Sequence, residues 1–133
     1  MLWQNGKLEI EKYDRGYNAD KKHIIWSISK SVTSLLFAVA EYKGLAKKSD
    51  SICTHNQDVP QEKCSITYEN LLRWESGLAW VEEYEKSQRL QKASVIAMLF
   101  GEGLQDMKKF VLGHKFVAKP GEVWRYSSGD STL

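Results

Sequence analysis

From Trp26 onward the apolar positions fall into helical spacing. Ile28, Val32, Leu35, Leu36 and Val39 recur three or four apart, and Phe37, Ala38 and Ala40 widen the stripe. A helix apolar over most of its circumference is normally buried on several sides, so burial is the expectation here. Gly44, after Glu41-Tyr42-Lys43, is its stop signal. Ahead of it, Asn5-Gly6 separates two short segments of β character, and that dipeptide suits a type I′ turn. The pattern predicts a hairpin with arms at Leu2–Gln4 and Lys7–Tyr13, then a polar connection through Arg15–His23. Further on, Thr67 is placed to cap a short helix over Tyr68–Trp74, with Glu69 in its first turn, and Ser76-Gly77-Leu78 breaks it. Helices are also predicted over Ala93–Phe100 and about Leu104–Leu112, interrupted by Gly-Glu-Gly. Pro120-Gly121 reads as a turn into a short extended piece, and Ser127–Leu133 as the opening turn of one more helix. No internal repeat or low-complexity segment is visible. The class is α+β: a hairpin and connection over 1–26, and a mostly helical region over 27–133.

Composition narrows this picture. At 133 residues the chain suits one compact domain, and 42% hydrophobic residues with five Trp and six Tyr make it globular. A net charge of +2 leaves no electrostatic footprint for nucleic acid or a membrane surface. The pairs Lys21-Lys22, Lys47-Lys48 and Lys108-Lys109 read as solvated faces. No run is long enough to span a membrane, and Met1 leads straight into the hairpin with no signal peptide. Cys53 and Cys64 flank a polar loop. A bridge between them fits better than a zinc site, the competing reading being two unrelated buried thiols. If formed, the bridge contributes about 2–3 kcal/mol by loop closure and implies an oxidising compartment, periplasmic or secreted. His23, His55 and His114 lack ligand spacing and read as surface residues, so neither metal nor organic cofactor is expected. The run Glu82-Glu83-Tyr84-Glu85 reads as a solvated face, and the Trp residues as core, with lining a cleft as the alternative for Trp26 and Trp80.

Two spacings carry candidate chemistry. Ser27 and Lys30 are three apart at the head of the apolar helix, so the amine hangs beside the hydroxyl. A serine hydroxyl is a poor nucleophile until a base takes its proton, and lysine is such a base only when neutral, which needs burial or a nearby cation. Trp26, Ile28 and the apolar helix are the expected source of that burial, and the helix N-terminus favours developing negative charge. The spacing is cheap, however, arising roughly once or twice by chance in a chain of this composition. Alone it reads equally as a capping serine and a solvated lysine. The second spacing is Tyr126-Ser127-Ser128. A phenol beside a cationic lysine can act as a general base, and Ser128 can bond that lysine or a substrate.

Taken together, "WSISKSVTSLL", "ITYENLLRWESGL" and "KPGEVWRYSSGDSTL" resemble, in order and spacing, the penicillin-recognising serine hydrolases. The likeness is to the class C β-lactamase-related group, which includes esterases, D-aminopeptidases, D-Ala-D-Ala carboxypeptidases and 6-aminohexanoate-dimer hydrolases. It runs from the "NGKLEIEKY" hairpin through "MLFGEG" to the last residue. The resemblance implies a β-lactamase/transpeptidase-like fold with Ser27 as acylated nucleophile, Lys30 as its base and Tyr126 as the acid/base group for the leaving group. Ser128 stands where class C β-lactamases carry Asn, a departure that points away from β-lactam turnover toward an esterase- or amidase-like relative. The Ser76–Leu78 turn matches a structural turn of the family, and the resemblance places Glu82–Glu85 at the border of the substrate cleft, so a specificity role for Glu82 or Tyr84 is the alternative to a solvated face.

The family's third motif, Lys/His-x-Gly on a central strand, has no counterpart, since Gly113-His114-Lys115 has the wrong order and precedes Tyr126. The chain therefore reads as a fragment of a larger hydrolase, its helical lobe plus the first two strands. A missing oxyanion donor costs roughly 10²–10³ in rate, so weak or no activity is expected of it. The partners implied are a small-molecule or peptide ester or amide, with self-association through an exposed sheet edge as a further expectation. The competing reading is a non-catalytic interaction module that keeps the fold.

Overall fold

The computed structural model describes residues 1–82 and 93–133, which hold one hairpin, four α-helices and a short 3-10 turn. Strands β1 (Leu2–Gln4) and β2 (Lys7–Ile10) pair antiparallel, with Trp3 opposite Leu8 and Gln4 opposite Lys7. Asn5 at φ 49° and Gly6 at φ 76° form the expected turn. The second arm stops at Ile10 rather than Tyr13, because its register partner there is already Leu2, next to the chain terminus.

Helix α1 spans Ile28–Tyr42 and ends where expected, with Gly44 at φ 69°. The Gly44 N–H donates to the Glu41 carbonyl and the Leu45 N–H to that of Ala40. Its environment corrects the sequence expectation: no residue of α1 is buried, and Ile28 and Leu35 are 64% and 69% exposed. The hydrophobic pattern set the helix and its stripe correctly, but among the described residues no sheet covers that stripe. Phe37 meets Tyr68 with ring centroids 5.2 Å apart.

Among the described residues, the buried apolar side chains lie further along: Ile52, Ile66, Leu71, Leu78, Trp80, Ala93, Val95, Met98, Val111 and Leu112. The Cys53–Cys64 disulfide closes the polar loop above this core, with Cα atoms 5.3 Å apart. Beside it, the 3-10 turn Gln61–Lys63 delivers Lys63 into the interior. Its ammonium donates to the His114 carbonyl at 2.6 Å and lies 4.4 Å from the Phe116 ring centre, and burial pulls its pKa down. Helix α2 (Tyr68–Leu72) is capped by Thr67 as predicted. The reciprocal partner in its capping box is Asn70, and the helix closes before Trp74, which sits at φ 58°.

Helices α3 (Ser94–Phe100) and α4 (Met107–Leu112) pack together. Helix α4 starts later than Leu104 because the Asp106 carboxylate caps it at the Lys109 N–H. Gly77, at φ 77°, lets the chain pass so close to residue 118 that an added Cβ would sit 2.3 Å from the Ala118 carbonyl oxygen. Its own carbonyl accepts from the Val117 N–H, and the Ala79 N–H donates to Lys115. His114 is not the surface histidine expected: it is half-buried against Trp80 and Phe110, with Nε2 3.2 Å from Ser94 Oγ. Residues 128–132 form consecutive turns, with the Leu133 N–H donating to the Gly129 carbonyl at 3.3 Å, in keeping with the opening helical turn expected there.

Candidate active site

Two walls from different parts of the chain meet at Ser27. One is the start of α1. Trp26 adopts φ 46°, a conformation uncommon for a bulky residue, and its carbonyl accepts both the N–H of Ser29, at 3.1 Å, and its hydroxyl, at 2.7 Å. This tight entry swings the chain into the helix with Ser27 in the N-cap position. The Ser27 hydroxyl makes no capping bond, so the bland sequence reading of a capping serine does not hold. Lys30 follows one turn later on the same side.

The other wall is the segment after the Pro120-Gly121 turn. The Arg125 N–H donates to the Trp74 carbonyl at 2.9 Å, and its guanidinium donates to the Trp80 carbonyl at 3.1 Å, which fixes the segment's height. The Tyr126 ring then rests edge-on against Trp74, centroids 4.6 Å apart. Below it the chain turns through Ser127–Asp130. The buried Asp130 carboxylate accepts from the Ser127 and Ser76 hydroxyls, each at 2.8 Å, and from the Ser76 N–H at 3.2 Å. The Ser76–Leu78 turn is thus tied directly to the Tyr-Ser-Ser segment. Burial pushes the Asp130 pKa up, while the hydrogen bonds from Ser76 and Ser127 pull it partly back.

Where the walls meet, the structure brings together all four residues singled out from the sequence. Tyr126 Oη lies 2.8 Å from Ser27 Oγ, and Lys30 Nζ lies 3.2 Å from the same oxygen. Lys30 Nζ also reaches Ser128 Oγ at 3.0 Å and passes 5.2 Å from the Tyr126 ring centre. Such a cluster is chemically able to take a proton from a hydroxyl and return it elsewhere. The burial expected around Lys30 is not supplied by its helix neighbours: Trp26 is 67% exposed and, instead of joining the core, edges an open cleft of about 820 Å³. Ile24, Ile96, Leu99 and Phe100 form the apolar side of that cleft, with Ser27, Lys30, Tyr126 and Ser128 at its polar end.

Sequence reasoning missed two supporting residues, Trp74 and Asp130, and read a third, Glu82, first as a solvated residue with a role at the cleft only as the alternative. Glu82 is not on a solvated face: it is half-buried, and its carboxylate accepts from the Ser128 hydroxyl at 2.5 Å and the Ser128 N–H at 2.9 Å. It also accepts the Trp80 indole N–H at 2.5 Å. The available signal was its place two residues after a tryptophan that follows the Ser-Gly-Leu turn. Glu83, Tyr84 and Glu85, weighed with it as a solvated face bordering the cleft, lie outside the described residues. Among the described residues no group of His, Cys, Asp and Glu is gathered to hold a metal ion, and no helix is long and apolar enough to cross a membrane.

No curated protein matches the chain. The family model described as Beta-lactamase matches residues 1–133, the full length over which the three motifs were read. The chain belongs to the Beta-lactamase family, within the superfamily of β-lactamase-related serine hydrolases.

Proposed function

We propose that this chain carries the acylation machinery of a serine hydrolase acting on an ester or amide through an acyl-enzyme. The observation that carries the reading is the convergence on Ser27 Oγ of Tyr126 Oη at 2.8 Å and Lys30 Nζ at 3.2 Å, from opposite walls. In the reaction Ser27 Oγ attacks the substrate carbonyl carbon and its proton passes to the Lys30 amine. The tetrahedral intermediate then expels the alcohol or amine, which takes a proton from Tyr126, and the phenol is restored by the proton that Lys30 received. Water cleaves the acyl-enzyme by the reverse proton path and regenerates the Ser27 hydroxyl. The Ser27 backbone N–H serves as one oxyanion donor. Ser128 in place of an amide-bearing side chain favours ester or simple amide substrates over β-lactams. The Cys53–Cys64 bridge supports an oxidising compartment such as a periplasm.

A second reading, a non-catalytic interaction module, is favoured by one observation: the hairpin is exposed, and so is most of the apolar stripe of α1, Ile28, Val32, Leu35, Leu36 and Val39 included. Intact mass after exposure to a fluorophosphonate separates the two. The hydrolase reading expects one adduct on Ser27, lost in Ser27→Ala and strongly slowed in Lys30→Ala. No adduct on a folded chain, or labelling of Ser27→Ala at the wild-type rate, removes it.

A further inference from the structure

We propose that Glu82 is a positioning residue that sets the direction of the hydrogen-bond chain ending at Lys30, and thereby keeps the lysine lone pair aimed at Ser27. The proposal rests on the serine-hydrolase reading of this site.

An ionised carboxylate offers only lone pairs, so across the 2.5 Å contact to Glu82 it is Ser128 that donates its single hydroxyl proton. Having spent that proton, Ser128 Oγ faces Lys30 Nζ, 3.0 Å away, as an acceptor only. A neutral lysine amine has two N–H groups and one lone pair. Giving one N–H to Ser128 leaves the lone pair available for the hydroxyl of Ser27, 3.2 Å from the same nitrogen. Were Ser128 able to turn its own O–H toward Lys30, it would occupy that lone pair and silence the base. Glu82 prevents this turn. The other carboxylate oxygen holds the Ser128 N–H at 2.9 Å and the Trp80 indole at 2.5 Å, so the carboxylate cannot swing away without giving up both. Trp80 is itself buried, with 2% of its surface exposed, and gives the arrangement a rigid base.

Glu82→Gln tests polarity rather than shape. The amide oxygen keeps the Ser128 N–H and Trp80 indole contacts, and its NH₂ then donates to Ser128 Oγ, forcing the Ser128 hydroxyl proton toward Lys30. Fluorophosphonate labelling of Ser27, followed by intact mass on the full chain, is expected to slow by about 10- to 100-fold, the scale of one misdirected hydrogen bond to a charged group. The discriminating variant is the pair Glu82→Gln/Ser128→Ala, which removes the hydroxyl that would silence the lysine. It is expected to label faster than Glu82→Gln alone and about as fast as Ser128→Ala. A purely structural Glu82 gives the opposite order, the double variant being no faster than Glu82→Gln, and that order overturns the proposal. So does a wild-type rate in Glu82→Gln, which leaves the hydrolase reading standing. Absence of labelling in the wild type, or labelling that survives Ser27→Ala, overturns both together. Should Glu82→Gln fail to fold, Glu82→Asp against Glu82→Asn repeats the comparison at a shorter reach. Asp is expected to label faster than Asn, and equal rates overturn the proposal.

Discussion

Residues up to Leu45 and those from Ile52 on are built differently. The first stretch holds the hairpin and α1, and none of its residues is buried, although Leu2, Trp3, Ile28, Leu35 and Leu36 are among them. The second holds the apolar core of the described residues, a disulfide, and a buried lysine and a buried aspartate with their hydrogen bonds made. Yet the site draws on both: Ser27 and Lys30 come from the open stretch, and Tyr126, Ser128 and Glu82 from the packed one. Two polar contacts, Ser27–Tyr126 and Lys30–Ser128, join the nucleophile to its rigid surroundings. Rigidity at this site is thus supplied from one side, and Ser27, the proposed nucleophile, is held by hydrogen bonds rather than by packing.

The contrast is broken most severely by truncating one apolar residue on each side. Trp80→Ala empties the centre of the packed region and is expected to cost about 3–5 kcal/mol, which leaves the chain largely unfolded. Leu35→Ala, on the open stripe of α1, is expected to change stability by no more than about 0.5 kcal/mol, because the side chain leaves water for nothing. Urea unfolding of the two variants beside the wild type gives both numbers. A Leu35→Ala loss comparable to that of Trp80→Ala would mean that α1 is covered in solution.

A smaller change acts only on the joint. Tyr126→Phe removes the hydroxyl 2.8 Å from Ser27 and keeps the ring against Trp74. Stability is expected to move by about 0.5 kcal/mol or less, since the lost hydrogen bond is solvent-exposed. Fluorophosphonate labelling of Ser27 is expected to slow about 100-fold, the usual scale for losing one acid/base group. Unchanged labelling in this variant would remove Tyr126 from the mechanism while leaving its packing role intact.

The same contrast explains what the sequence could reveal. Helical spacing from Ile28, the Asn5-Gly6 turn, the Thr67 cap and the Gly44 stop are local signals, and each element formed where its residues dictate. The site residues were legible because Ser-x-x-Lys and Tyr-x-Ser are also local spacings, given meaning by their order along the chain. Burial was not legible, because it depends on what covers a face. The apolar pattern of α1 states a capacity to be buried and nothing about a partner. For the same reason Asp130 was passed over and Glu82 was read first as a solvated face: their partners, Ser76 and Ser128, lie far away in sequence, and an acidic residue in a polar run looks like any solvated carboxylate until the chain has folded back on it.

The smallest effect sharpens the packed side of the comparison. Burial holds the Asp130 pKa above its ordinary value, with the nearby Glu82 charge adding to the rise, while Ser76 and Ser127 oppose it. A carboxyl whose pKa is higher folded than unfolded binds a proton in the native state at pH values where the unfolded chain has already lost it. Its stabilising contribution is therefore fully present below the unfolded value of about 4, falls as pH rises through the native pKa, and is level above that. Asp130→Asn carries no such titration. It keeps an oxygen for the Ser76 and Ser127 hydroxyls but sets an NH₂ against the Ser76 N–H, for a loss of about 1–3 kcal/mol where Asp130 is protonated. Urea unfolding of both proteins from about pH 4 to 8 is expected to show that deficit shrinking as pH rises, because only the wild type bears the cost of ionising a buried carboxyl. Parallel pH profiles would show that the Asp130 charge is compensated in the native state. The Ser76–Asp130–Ser127 knot would then hold the Tyr126 wall in place equally well at any pH in that range.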